Sequence, residues 1–289
     1  MEDLFDGQDY TQYDLDDEYF GNTKTVTVEN PGSLSDLSAR RIESLEDLKL
    51  LESDLAAFRG LRGYDFLYRG QSRSDYELLP AIVRHGCSLS EELDVMKEVE
   101  ACCVSERIDS LRLEGFDKDL FYAGIARHCG VWNRLLDWTA CFKIALSFLA
   151  EENYDRTGSL WILTMERASF RMSKGSPYEI EDDRIHVFKE GYYLPDGCTL
   201  TDMPVGIFRR YRQNGFFTAT SAGNAARPLN EVAVSCPGIE CLKIDISPEV
   251  KAIIRSSNLM ISKVYRCLGG NDGLVKSLES LNSRYTKAM

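Results

Sequence analysis

The stretch "IARHCGVWNRLLDWTACFKIALSF", residues 125–148, sets a histidine, an arginine and a carboxylate (His128, Arg134, Asp137) within ten residues among Trp132, Leu135, Leu136 and Trp138. Two chemistries suit such a trio. His128 can act as a general base with Asp137 as its orienting acid or as a metal ligand. Alternatively, the arginine can bind an anion, helped by backbone N–H groups at the start of a following helix. A bland alternative stands beside both: a buried arginine must be paired, and Asp137, three residues on, is its nearest carboxylate, so the expected contact is an Arg134–Asp137 salt bridge. A core histidine bonded to backbone is the matching alternative for His128.

A second candidate stands earlier in the chain. "FLYRGQS", residues 66–72, ends an apolar run on Arg69, Gly70 and Gln71, and "LLPAIVR" ends on Arg84. An arginine closing a buried strand needs an anionic partner, either a ligand phosphate or carboxylate or one of the nearby acids Asp65, Asp75 and Glu77. Gly70, lacking a side chain, lets a ligand approach the backbone. Later, Gln213 and Gly215 precede "FFTATSAG", whose Thr218, Thr220 and Ser221 form a hydroxyl-rich strand end or an ordinary turn. Glu231 and Glu240 are the carboxylates that follow, each ahead of a strand-like run. The candidate ligand-binding set is thus Arg69, Gly70, Gln71, Arg84, Arg134, Thr139, Gln213, Thr218, Thr220 and Ser221, and the candidate catalytic set is His128, Asp137, Glu231 and Glu240. No metal site is expected, because His85 and His186 lack ligand-like neighbours at short spacing.

The elements that must position these residues follow from periodicity. "SLEDLKLLESDLAAF" opens with a Ser44–Asp47 capping box and sets Leu45, Leu48, Leu51 and Leu55 on one helical face. "YDFLYRG" is a short aromatic strand, after which "LLPAIVR" follows a polar turn. A helix from Ser90 carries Leu93, Met96, Val99 and Cys103 at three- and four-residue steps, and another begins near Asp117. The 128–139 segment reads as a loop, and a third helix starts with Thr139 as its N-cap. "GSLWILTM" and "ECLKIDI" are strands, and "SPEVKAIIRS" is a helix with Pro248 in its first position after Ser247. The expected fold is a single α+β domain, a helical first half packed on a mixed, mostly antiparallel sheet, with Arg69, the 128–139 loop and the 213–221 strand end converging on one cleft.

Composition narrows the function classes. The chain has 289 residues, 44% of them hydrophobic, with a formal net charge of −12. Residues 1–20 contain eight acidic side chains and no Lys or Arg, so the remaining chain is nearly balanced. The expected division is an acidic N-terminal arm and lead-in, 1–43, and a folded unit, 44–289. The arm is expected to stay solvated, while its aromatic residues suit docking on a basic protein surface. No cationic footprint for double-stranded nucleic acid is present. No stretch approaches 18 uncharged apolar residues, and the N-terminus lacks the basic and apolar regions of a signal peptide, so no membrane partner and a cytoplasmic location are expected. The nine cysteines are scattered without CxxC spacing and are expected to be reduced.

"FLYRGQS" with "LLPAIVR", "ARHCGVWNRLLDWT", "RQNGFFT" and "LKIDISPEVKAIIRSSNLMISKVYRCLGGNDGLVKSL" resembles the FRG domain, a family marked by a Phe-Arg-Gly motif and a His-x-Gly-x-x-x-Arg-Leu-Leu-Asp-Trp-Thr block. The resemblance spans roughly residues 44–285. Tyr68 stands where the family has Phe, and Arg127 where a Gln commonly precedes the histidine. More distantly, the strand-end arginine and the Phe-x-x-Thr-Ser run resemble the Arg-Ser-Glu class of ADP-ribosyltransferases. That likeness implies NAD as cofactor, with the arginine on a phosphate, the hydroxyl strand ordering the pocket and a glutamate facing the ribosyl cation. Three readings follow: an NAD-using effector or toxin of bacterial or phage conflict, a nucleotide- or phosphate-binding module without turnover, and a His/Asp-dependent hydrolase or nuclease.

Overall fold

Seven strands, β1 (Arg41–Ile42), β2 (Tyr64–Gln71), β3 (Leu136–Thr139), β4 (Gly158–Glu166), β5 (His186–Lys189), β6 (Gly215–Ala219) and β7 (Ile239–Ile246), form one sheet in the order β1-β7-β4-β2-β3-β6-β5. The structure is a computed structural model describing residues 33–108, 115–189, 215–256 and 272–285; the acidic arm and Gln213 lie outside these residues. Among the described residues β1 alone runs parallel to its neighbour, β7, and the other pairings are antiparallel. The sheet is therefore mixed and mostly antiparallel, as expected.

Among the described residues the helices are α1 (Leu34–Ser38), α2 (Leu45–Arg62), α3 (Ala81–Arg84), α4 (Glu92–Ser105), α5 (Lys118–His128), α6 (Phe142–Glu151), α7 (Leu229–Ala233), α8 (Pro248–Ser256) and α9 (Asp272–Ser280). Their starts follow the local chemistry. Ser44 Oγ accepts from the Asp47 amide while the Asp47 carboxylate accepts from the Ser44 amide, and the Asp117 carboxylate accepts from the Leu120 amide. Pro248 opens α8. Three expectations need correction. "LDWT" is strand β3 rather than part of a loop. Thr139 ends that strand, and the N-cap of α6 is Cys141; the Thr139 hydroxyl accepts from the Cys141 amide, turning the chain just before the helix instead of capping it. Glu231 lies in helix α7, not before a strand.

Alternation along the strands divides the core. Even residues of β2, Phe66 and Tyr68, join Leu51, Leu55, Leu146, Leu149 and Val250 from α2, α6 and α8. On the opposite face Leu67, Leu136, Trp138 and Trp161 join Leu229 and Val232 of α7. A third cluster gathers α4 and α5 with Leu278 of α9 over Phe188 and Phe217 of β5 and β6. Residues 33–43 contribute Leu34, Leu37 and Ile42 to the core and pair β1 with β7. No helix among the described residues is long and apolar enough to cross a membrane.

Candidate functional site

The ladder between β2 and β3 consists of one pair, Tyr68 with Thr139, whereas β2 and β4 pair from Tyr64 to Gln71. Past that pair β2 and β3 part company, and Arg69 occupies the fork. One of its terminal nitrogens donates to the Asp137 main-chain carbonyl at 2.7 Å and stands 2.9 Å from Asp137 Oδ1. The guanidinium thus takes a carbonyl that a strand amide would fill in a continued ladder. From the end of α5, Arg127 donates to the same Oδ1 through Nε at 2.8 Å and lies 2.7 Å away through Nη2. Arg84, at the end of α3, faces the same group of charges and donates Nε to the Leu79 carbonyl; it forms no salt bridge among the described residues.

Two guanidiniums therefore converge on one carboxylate, with a third within electrostatic reach of the group. Burial pushes the Asp137 carboxyl upward, but Arg127 and Arg69 outweigh it and hold the group far below the usual carboxylate range. Arg84 responds in the opposite sense: burial lowers its pKa, and repulsion from Arg69 and Arg127 lowers it further. Arg69 Nε is buried and finds no hydrogen-bond partner among the described residues. Surplus positive charge and an unspent donor in one cluster are the chemistry that suits an anion. It opens on a cleft of about 220 Å³ lined by Tyr68, Arg69, Gly70, Gln71, Ser72, Tyr76, Arg84, Asp137, Trp138, Thr139 and Phe148.

Of the expected residues, Arg69, Gly70, Gln71, Arg84, Asp137 and Thr139 come together here. Two of these are held by the scaffold. A Cβ on Gly70 would meet the Ala145 carbonyl oxygen at 2.0 Å and the Leu149 nitrogen at 2.7 Å, so the crossing of α6 over β2 requires a glycine here. Gln71 Oε1 accepts from Trp161 Nε1 at 2.7 Å, and its Nε2 faces the Glu77 carbonyl at 3.4 Å.

The others lie elsewhere. The expected Arg134–Asp137 bridge does not form. Arg134, 6% exposed, donates its Nε to Glu92 Oε2 at 2.8 Å and its backbone amide to Glu92 Oε1 at 2.7 Å, while its guanidinium sits 5.0 Å from the Tyr178 ring centre. Asp65, one of the acids considered for Arg69, pairs instead with Arg167, and Asp75 pairs with Arg73. His128 lies close enough to Asp137 to feel its charge and packs its ring 5.8 Å from that of Phe217. Thr218 is buried, its hydroxyl accepting from Trp138 Nε1 at 2.9 Å. Thr220 and Ser221 are buried beyond β6, and Glu231 and Glu240 are exposed; none of the four lines the cleft. His186 stands 3.0 Å from the Ser173 hydroxyl and 2.8 Å from Asp182 on edge strand β5, and Asp182 is also held by Arg184.

Arg127, Tyr76 and Glu92 went unassigned in the sequence. For Arg127 a signal existed, a cation where the related motif commonly has an uncharged Gln beside His128. Glu92 gave none, because a carboxylate beside Leu93 reads as solvent-facing until its partner is known.

The architecture is an α+β fold with helices on a seven-stranded mixed sheet and an arginine-rich cleft where two strands fork. Residues 64–157 match the FRG domain family. That segment runs from the first residue of β2 to the turn before β4 and contains Arg69, Arg84, Arg127 and Asp137. No curated protein and no solved structure matches the chain.

Proposed function

We propose that the protein binds a nucleotide-type ligand in the forked cleft and grips it by a phosphate. The observation carrying this reading is the surplus of guanidinium charge around Asp137, with the buried Arg69 Nε unpartnered. Planar forked cations suit phosphate oxygens. Tyr68, Tyr76, Trp138 and Phe148 add aromatic walls for a sugar or base. At about 220 Å³ the cleft falls below the roughly 300–1,000 Å³ of sites that bury a drug-sized molecule. NAD, the cofactor proposed first for test, would accordingly seat one phosphate and its ribose inside.

Binding without turnover is favoured over ADP-ribosyl transfer. A ribosyl cation calls for a free carboxylate beside it. The carboxylate lining the cleft, Asp137, is neutralised by two arginines, and Glu231 and Glu240 lie outside it. The same neutralisation argues against Asp137 as the orienting acid of a hydrolase.

Thermal shift with inorganic phosphate, ADP-ribose and NAD tests the reading. Ligand at 100 times its Kd stabilises the fold by about 2.7 kcal/mol. Arg84→Ala removes a cleft cation that forms no salt bridge, so the apo melting temperature should hold while affinity falls by ~1.5–3 kcal/mol, the range for hydrogen bonds to charged groups. No shift with any of the three ligands overturns the site. Release of nicotinamide from NAD overturns the preference for binding over turnover.

A further inference from the structure

Lys251 of α8 is fully buried, with its ammonium among main-chain carbonyls and within electrostatic reach of Asp155 and Arg255. Nζ lies 2.6 Å from the Asn153 carbonyl oxygen, 2.7 Å from that of Ser72, 3.1 Å from that of Arg156 and 3.2 Å from that of Glu152. An ammonium has three protons and cannot satisfy four carbonyls with separate linear bonds. The arrangement instead resembles the oxygen cage of a desolvated monovalent cation, in which carbonyl dipoles replace water. Burial draws the pKa of Lys251 to about 8, which leaves it largely protonated at neutral pH.

The cage joins two segments. The Glu152–Arg156 turn follows α6, and Ser72 follows the last residue of β2 and lines the cleft. Asn153 takes a φ of +44°, a left-handed conformation costly for most side chains, while its carbonyl faces the ammonium and its Nδ2 donates to the Ser72 hydroxyl at 2.9 Å. The Ser74 amide donates to the Thr157 carbonyl at 2.8 Å, which extends the same seam. A Cβ on Gly158 would meet the Gln71 carbonyl oxygen at 2.9 Å and Lys251 Cδ at 3.4 Å, so the lysine stem runs along the strand pair that ends at the cleft.

We propose that Lys251 is a positioning residue of the cleft: its ammonium fills a built-in cation cage that fixes Ser72, and with it the end of β2 from which Arg69 reaches the fork. The cleft's role as an anion site rests on the function proposed above; the cage itself does not.

Hydrogen exchange at residues 70–77 reads the cage directly, without a ligand. Lys251→Met keeps the stem and removes the charge, and protection at Ser74 and its neighbours should fall at least tenfold. Lys251→Ala leaves room for an ion: potassium or ammonium chloride should restore protection that choline chloride does not, a salt specificity that a packing role would not produce. In parallel, the Kd for inorganic phosphate should rise several-fold in Lys251→Met. Unchanged exchange in Lys251→Met overturns the proposal, and so does equal exchange of Lys251→Ala in potassium and choline. If Lys251→Ala does not fold, Lys251→Met decides. A wild type that binds no phosphate fails the anion reading alone, since the exchange result still judges the cage.

Discussion

At the level of single residues, the cleft is defined by a carboxylate that is structurally occupied and cations that are not fully so. Asp137 holds Arg69 and Arg127 in place, and its own depressed pKa records how strongly they hold it. Removing it has opposite effects on folding and binding. Asp137→Asn leaves partly buried guanidiniums without their counter-charge, and breaking such a pair costs ~3–5 kcal/mol. The same change removes the internal competitor for those guanidiniums, so phosphate should bind more tightly to the folded variant. The pH dependence has a fixed sign. The native pKa lies below the unfolded value of about 3.9, so Asp137 contributes stability above roughly pH 4 and loses it as pH falls from there toward the native pKa. Urea unfolding between pH 6 and 2.5 should show a shallower loss of stability in acid for Asp137→Asn than for the wild type. Equal slopes would separate Asp137 from the acid stability of the fold.

At the level of elements, the legible parts were those decided by neighbours in sequence. The Ser44–Asp47 and Asp117 caps, the Pro248 helix start, the strands β2, β4 and β7 and the mixed sheet were all readable. What failed depended on distant partners. Of the residues placed on the buried face of α4, Met96, Val99 and Cys103 are buried, whereas Leu93 is 48% exposed and Glu92 with Val95 completes the face instead. Glu92 meets its partner on that face in Arg134, 42 positions away, which only the fold brings to it. Likewise Arg69, Arg84 and Asp137 were named from their motifs, while Arg127 was passed over because nothing local shows that the last turn of α5 ends beside β3. The Glu92–Arg134 pair now carries its own expectation. Burial pushes the Glu92 carboxyl upward against the pull of Arg134, and Glu92→Gln leaves the arginine buried and unpaired, at ~3–5 kcal/mol. The double replacement Glu92→Gln with Arg134→Met should recover part of that loss in chemical denaturation. Additive losses would mean the two side chains are not energetically coupled.

At the level of the whole molecule, the sheet has a weak line, and the cleft sits on it. On one side β1, β7, β4 and β2 carry α2, α6 and α8; on the other β3, β6 and β5 carry α4 and α5. One residue pair of the ladder joins β2 to β3, and beyond it the polar connection runs through the Arg69 guanidinium to Asp137, which Arg127 holds from the other side, while Leu67, Leu136, Trp138 and Trp161 pack across the line on one face of the sheet. Local opening follows the weakest buried connections, so this line should open before either flanking ladder. Arg69→Ala removes the side-chain link while leaving the eight-pair ladder between β2 and β4 intact. Hydrogen exchange should then quicken in β3 and at the end of β2 while β4 and β7 keep their protection. Phosphate should slow exchange on both sides of the fork in the wild type, because an anion held by Arg69 from β2 and Arg84 from α3, whose Ile82 packs with α4 and α5, bridges the two halves. Uniform quickening across all seven strands in Arg69→Ala would show that the fork is not a separate weak line and that Arg69 acts only through global stability.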